Sequence, residues 1–511
     1  MQDELERLKR ETYDARVTHN QQHDPLIRIP PELMSSFFRF AIEFEYPTED
    51  RVESYLMRSV ICYIRPIQLA SICTRWRRIA LADPSLWSTI DITYRTENPE
   101  KCRKRWTPSL ELIEQWISGS GALPLRIVLR WEGAPDSEDG TLGDIIKALC
   151  GQCHRWRSLH IQVPQKAMTF FQSARSEAII DLEYLSIDHG DLAAHPMSVG
   201  QIILRPRHAY LWPSPLWVAG SYVWTNLVRL VISNANPYEC VDIIQQAKQL
   251  ETLRAVFFRT GEDGDALPPT EPVVAARLRE MSIGFQTNGT LDELFSNIRA
   301  PELEVLELFR YQHIATHASL DFLTPMLFQP PTGNNLRKLS IGGFACSSED
   351  LLRVLRELNK LSRFAMLYTR TEGTPPPLDD LLDDLATTSS AVEGAAHGAA
   401  FLHQLSNFSY TGLQNFSWSA IADVLHSHNT NTPTKRPLKS LTTLLVPSSV
   451  PEDYVDKETL LRLLALSPSA GTKQGIDEEL FRGSFEHHGL DYPLHPLSIP
   501  GQMVAYPEPE D

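Results

Sequence analysis

No stretch of about 18 consecutive apolar residues occurs in this 511-residue sequence, so no membrane-spanning helix is expected. The first 25 residues are charged from the start and lack the apolar core of a secretory signal, so none is expected. Basic charge is also short: 48 Lys and Arg stand against 64 Asp and Glu, a net charge of −16. That balance argues against a general nucleic-acid binder, because neutralising phosphates needs a cationic excess. Cysteine is sparse and odd in number, seven in all and scattered, which fits free thiols in a reducing compartment. The Asn-x-Ser/Thr matches at Asn288, Asn407 and Asn415 are then read as chance. Catalytic signatures are missing as well: there is no Gly-x-Ser-x-Gly elbow, no Walker loop and no His-Glu-x-x-His. His487-His488 has no nearby Cys to complete a ligand set. A chain without an enzyme's constellation, cofactor or metal is expected.

What is present can build a core. Hydrophobic residues make up 42% and charged residues 22%, and the length suits several domains or one domain plus a repeat array. Residues 1–23 form a charged helix with a thin stripe at Leu5 and Leu8. Pro30-Pro31 opens a second helix, where a missing N–H costs nothing. Leu33, Phe37, Phe40 and Phe44 share one of its faces, and Met34, Phe38 and Ala41 form a stripe beside it. A short surface helix needs only one apolar stripe, so two imply packing on its own domain and contact with something else. A third helix runs from about Pro66 to Leu81, with Leu69, Ile72, Cys73, Trp76 and Ala80 on one face. Asp83-Pro84-Ser85 marks a turn, and Thr89 to Thr93 a short alternating strand.

Beyond Leu110 a helical stretch followed by a short apolar strand recurs. The strand cores begin at Leu125, Leu159, Leu182, Leu227, Leu250, Leu278, Leu303 and Leu336, with weaker copies at Leu361 and Leu405. Several fit L-x-x-L-x-L, in which the last two apolar residues point to one side of a strand and their neighbours to the other. Starts lie about 23 to 45 residues apart, near the spacing of leucine-rich repeats. Residues 371–400, with Pro375-Pro376-Pro377 and an acidic run from Asp379 to Asp384, are expected to be a long, partly disordered loop holding one short helix. After about Val450 the repeat is expected to fade into a C-terminal cap and an acidic, Pro-rich tail, residues 451–511.

Cys150-Gly151-Gln152-Cys153-His154 matches a c-type haem attachment pattern, and its Cys pair is half a zinc site. No second pair follows at zinc-ribbon spacing, and the motif sits on an amphipathic helix leading into a strand, so no metal or haem is expected there. Lys101 to Arg105 is read as a solvated positive face rather than a nuclear signal. Trp106, Trp116, Trp131, Trp156, Trp212 and Trp224 are read most simply as core or cap residues, with the alternative that a few lie on the concave face as binding anchors.

Three segments occur in a telling order: Ile29-Pro30-Pro31-Glu32-Leu33, then Ile72-Cys73-Thr74-Arg75-Trp76, then Pro84-Ser85-Leu86-Trp87. Residues 24–92 resemble the F-box, and are most similar to F-box proteins abundant in mushroom-forming fungi. Ile29 stands where the family usually has Leu, and an insert at 43–64, with Val52, Leu56 and Val60 at helical spacing, separates the first two segments. The resemblance implies an α/β protein: an N-terminal three-helix F-box, then over residues 93–450 an irregular leucine-rich-repeat solenoid with a curved parallel sheet. It implies docking onto the Skp-type adaptor and cullin scaffold of an SCF-type ubiquitin ligase, with Pro30, Leu33, Phe37, Ile72, Cys73 and Trp76 as the adaptor contacts. The repeats would hold an unknown protein substrate in the cytoplasm or nucleus, with no nucleic acid, membrane or cofactor involved. The alternative is a leucine-rich-repeat interaction scaffold acting without the ligase.

Overall fold

The structure, a computed structural model, describes residues 2–23, 29–43, 66–95, 109–132, 141–173, 175–188, 201–212, 222–233, 236–257, 271–310, 320–323, 335–343, 346–368, 377–387, 401–412, 415–429, 440–445, 455–465, 473–475 and 487–488. It is a mixed α/β protein with a large parallel sheet. The chain divides into two compact units, Met1–Ile180 with Val199–Ile202, and Asp181–Ser198 with Ile203–Asp511. No helix among the described residues is long and apolar enough to cross a membrane.

The first unit begins with helix α1 (Gln2–His23), whose exposed face carries Arg7–Glu4, Arg7–Glu11 and Lys9–Glu6 ion pairs at helical spacing. Such fully solvated pairs add little to stability. Helix α2 (Pro31–Glu43) starts on a proline, with the Met34 N–H donating to the Pro30 carbonyl at 3.0 Å. The expected single helix from Pro66 to Leu81 is instead two, α3 (Pro66–Ile72) and α4 (Thr74–Ala82). The break falls at Cys73, whose backbone is extended and whose Sγ accepts from the Trp76 N–H at 3.4 Å. The Arg77 guanidinium occupies the Ala70 carbonyl at 2.9 Å, one of the acceptors near the end of the first helix. Apolar spacing runs unbroken through the break, which is why the sequence reads as one helix. A short helix α5 (Pro84–Trp87), capped by Asp83, leads into β1 (Thr89–Arg95). Helix α6 (Leu110–Gly119), β2 (Leu125–Glu132), helix α7 (Thr141–Cys150) and β3 (Trp156–Gln162) follow. β1 pairs with β2 and β2 with β3, all parallel.

The unit boundary falls within strand β4 (Arg175–Asp188). In the second unit β5 (Gln201–Trp212), β6 (Arg229–Ser233), β7 (Thr252–Phe257), β9 (Glu280–Phe285), β11 (Val305–Arg310), β12 (Lys338–Gly342), β13 (Arg363–Leu367), β14 (Asn407–Gly412), β15 (Ser440–Leu445) and β16 (Lys473–Gly475) pair in that order, all parallel. A separate small pair joins β8 (Val273–Val274) to β10 (Ile298–Arg299). Parallel neighbours need a crossover connection. Helices α8 (Pro237–Gln246), α9 (Asn288–Ser296), α10 (Ser348–Glu357), α11 (Asp379–Thr387), α12 (Trp418–Asn429) and α13 (Lys457–Ala465) lie in those connections. Their buried residues, such as Leu351, Leu352, Val354 and Leu355 of α10, build a core with inward strand residues such as Leu306 and Leu308.

From β6 onward the first leucine of the repeated pattern lies just before its strand, and Leu227, Leu250, Leu278, Leu303, Leu336, Leu361 and Leu405 are all buried. In six of these the leucine N–H closes a turn onto the carbonyl three residues back, at 3.0–3.2 Å. The next residue then bonds the preceding unit. Arg279 and Glu280 both donate their N–H to the Glu251 carbonyl, Glu304 and Val305 to Arg279, and Arg337 and Lys338 to Glu304, at 2.8–3.0 Å. Ser362 with Arg363, and Ser406 with Asn407, continue the pattern onto Arg337 and Ser362. Each of these carbonyls thereby uses both lone pairs.

Two expectations change. Residues 377–387 are packed: Leu378, Leu381, Leu382 and Leu385 are buried, the Leu378 N–H donates to the Asn415 carbonyl at 3.3 Å, and Asp379 accepts from the Ser417 N–H at 2.7 Å. The one short helix expected in this segment is α11, and its regularly spaced leucines pack it as a crossover helix instead of leaving it in a loose loop. Nor does the alternation stop near Val450, because α13 is followed by β16, which pairs with β15. The expected insert helix around Val52, Leu56 and Val60, the rest of 371–400, the basic cluster 101–105 and the tail from Asp491 lie outside the described residues.

Candidate functional site

Helix α2 is apolar on two sides. Met34, Phe38 and Ile42, spaced one turn apart, are buried. Leu33, Phe37 and Phe40 are 55–63% exposed. The first set packs α2 on its neighbours, with the Phe38 and Trp76 rings 4.8 Å apart and tilted. The second set presents apolar side chains at the surface.

The break at Cys73 shapes what lies beside it. Leu69 is buried against α2, whereas Ile72, at the end of α3, is 59% exposed. Ile29, Met34, Phe37, Phe38 and Ala41 from the α2 side, and Gln68, Leu69, Ile72 and Trp76 from α3 and α4, line an open groove of about 660 Å³. Gln68 is its single polar side chain among these residues. The walls are fixed by polar ties at their backs. The Arg75 guanidinium donates to the Ile29 carbonyl at 2.6 Å, and Arg39 lies 3.4 Å from Asp83. The Ser35 hydroxyl also donates to Asp83. Asp83 caps α5 by accepting from the Ser85 N–H at 3.0 Å and the Ser85 hydroxyl at 2.6 Å. Burial works against its charge, but the hydrogen bonds from Ser35 and Ser85, with Arg39 beside them, outweigh it and hold Asp83 below the ordinary carboxylate range. Behind α5, the Trp87 indole donates to the Ala80 carbonyl at 2.7 Å and meets the Trp116 ring edge-on, 6.1 Å between centroids.

Of the six expected contact residues, Phe37, Ile72 and Trp76 come together in the groove. Pro30 and Leu33 are exposed at the start of α2 but do not line it, and Cys73 is half-buried as the cap of α4. Phe38 and Leu69 form part of the floor. Their spacing put them in apolar stripes without distinguishing floor from rim.

Cys150 and Cys153 are buried free thiols. Burial pushes Cys150 up to about 12 and raises Cys153 as well. Metal-binding thiolates need the opposite shift. No group of three or more metal-ligating side chains occurs among the described residues. Trp116, Trp131, Trp156 and Trp224 are core residues, whereas Trp212 is 43% exposed, and Trp106 lies outside the described residues.

Comparison of the sequence with protein-family models and with curated proteins finds no match.

Proposed function

We propose that the chain is the substrate-recognition subunit of an SCF-type ubiquitin ligase, with an F-box at its N-terminus and an irregular leucine-rich-repeat body behind it. The observation that carries this reading is the exposed apolar surface of Leu33, Phe37 and Ile72 around a groove floored by buried residues. It coincides with the segments that resemble the F-box motifs. Burying side chains of this size contributes about 1.5–3 kcal/mol each before the costs of association. That is enough for a stable docking face, and the occupant proposed is the Skp-type adaptor. The recurring buried leucine, turn and parallel strand support the repeat reading. In this role the chain makes no bond itself; it raises the effective concentration of a substrate lysine near a charged ubiquitin-conjugating enzyme.

The test is a binding measurement with purified Skp-type adaptor. Leu33→Asp and Phe37→Asp place a charge on surface already exposed, so the fold is retained while the docked state must desolvate a carboxylate, which costs several kcal/mol. Loss of adaptor binding with an unchanged circular dichroism melt is expected. Full binding by both well-folded variants would sink the proposal in favour of a repeat scaffold acting without the ligase. Trp76→Ala is a poorer test, because Trp76 also packs on Phe38.

A further inference from the structure

A second cavity in the first unit has a different chemistry. It is an open depression of about 490 Å³, lined by three exposed arginines, Arg39, Arg126 and Arg157, by the hydroxyl residues Ser85, Ser88 and Thr89, and by a few apolar residues. No Asp or Glu is among its lining residues, in a chain whose net charge is −16.

The fold brings these arginines together from three elements. Arg39 lies on α2. Arg126 lies near the start of β2, directly opposite Thr89 of β1. Arg157 comes from an irregularity in the β2–β3 pairing: Leu125 faces Trp156 but Arg126 faces Ser158, so Arg157 is the extra residue of a bulge. Bulges of this kind re-aim a side chain, and here the re-aimed residue lines the cavity. Arg39 is held beside Asp83 at 3.4 Å. Clustered arginines suit a phosphoryl group, whose oxygens accept bidentate N–H pairs; the Ser85 and Ser88 hydroxyls donate to Asp83 and to the Ser85 carbonyl, so the guanidiniums are the donors the phosphate would use. The volume falls within the range of small-molecule sites and leaves room for an organic body beside the phosphate.

We propose that this cavity binds a small organic phosphate monoester. The phosphoryl group sits among Arg39, Arg126 and Arg157, and the carbon skeleton lies toward Leu86, Leu123 and Pro124. The site is separate from the apolar groove, although α2 contributes to both.

Calorimetric titration of the full chain at low salt, with ribose 5-phosphate, inorganic phosphate and ribose as probes, tests this. Saturable binding of both phosphates and none of ribose is expected. Arg126→Gln and Arg157→Gln should each weaken the phosphates about tenfold or more, the loss typical of a charged hydrogen bond. Arg205→Gln, remote in sequence and paired with Asp181, should change nothing. Absence of saturable phosphate binding by the native chain, or equal binding by the well-folded Arg126 and Arg157 variants, overturns the proposal. So does tighter binding of a phosphoserine peptide than of ribose 5-phosphate, which would assign the phosphate to a protein chain. Adaptor binding is read separately, so failure here leaves the ligase reading standing.

Discussion

Asp83 shows how much one side chain organises. It caps α5, accepts from Ser35 and Ser85, and faces Arg39, so it ties α2 to the segment that leads into β1. Because its folded pKa lies below the unfolded value, the stability it adds is fully present above the unfolded pKa and is lost as pH falls through the folded one. Asp83→Asn keeps an acceptor for the cap but removes the charge. The variant should be less stable than the native chain at neutral pH, and the gap should close below about pH 4, the ordinary Asp range. Denaturant melts between pH 3 and 7, followed by tryptophan fluorescence, check this; a gap that does not change with pH would contradict the assignment. The residue scale is also where the sequence was least legible. Arg39, Arg126 and Arg157 are far apart along the chain, and no spacing links them. Cys73 looked like one more face residue of a helix, because its apolar neighbours continue on both sides of the break.

At the scale of elements, most strands could be read from the leucine spacing, because inward residues such as Leu306 and Leu308 are apolar and Glu307 between them is not. β5 escaped because Arg205, Pro206, Arg207 and His208 interrupt its alternation. Helix α11 was expected as a short helix in a loose loop; that it packs was hidden because four acidic residues flank its buried leucines. Packing between strands leaves little slack. A Cβ built on Gly342 would lie 3.0 Å from the backbone carbonyl oxygen of Leu367 on β13 and equally close to the Phe309 ring. A carbonyl held in a strand does not give way as a flexible side chain does. Gly342→Ala should therefore destabilise the second unit by about 1–3 kcal/mol, the usual range for overpacking. Gly289→Ala, with nothing within 4 Å of the added atom, should be close to neutral. Urea midpoints for the two variants decide it, and equal midpoints would show that β12 and β13 can separate.

For the molecule as a whole, the division into two compact units predicts that damage stays local. Leu306→Ala empties a fully buried site in β11, a change that typically costs about 2–5 kcal/mol. Hydrogen exchange should speed up in β9, β11 and β12 while the amides of β1 and β2 keep their native rates. Faster exchange in all five strands would mean that the chain unfolds as one cooperative block. The backbone fastenings between successive units constrain how such a chain can change over evolutionary time. Each fastening uses one carbonyl and two N–H groups, and it is indifferent to how much polypeptide intervenes. Glu251 and Arg279 are 28 positions apart, whereas Ser362 and Ser406 are 44 apart, yet both pairs make the same junction. A duplication or deletion that begins and ends at equivalent residues preserves every junction, and one that ends mid-unit leaves a carbonyl without its donors. Lineages of this protein should therefore differ by whole paragraphs of sequence, or by text inserted between fastenings, far more often than by letters added at the joints.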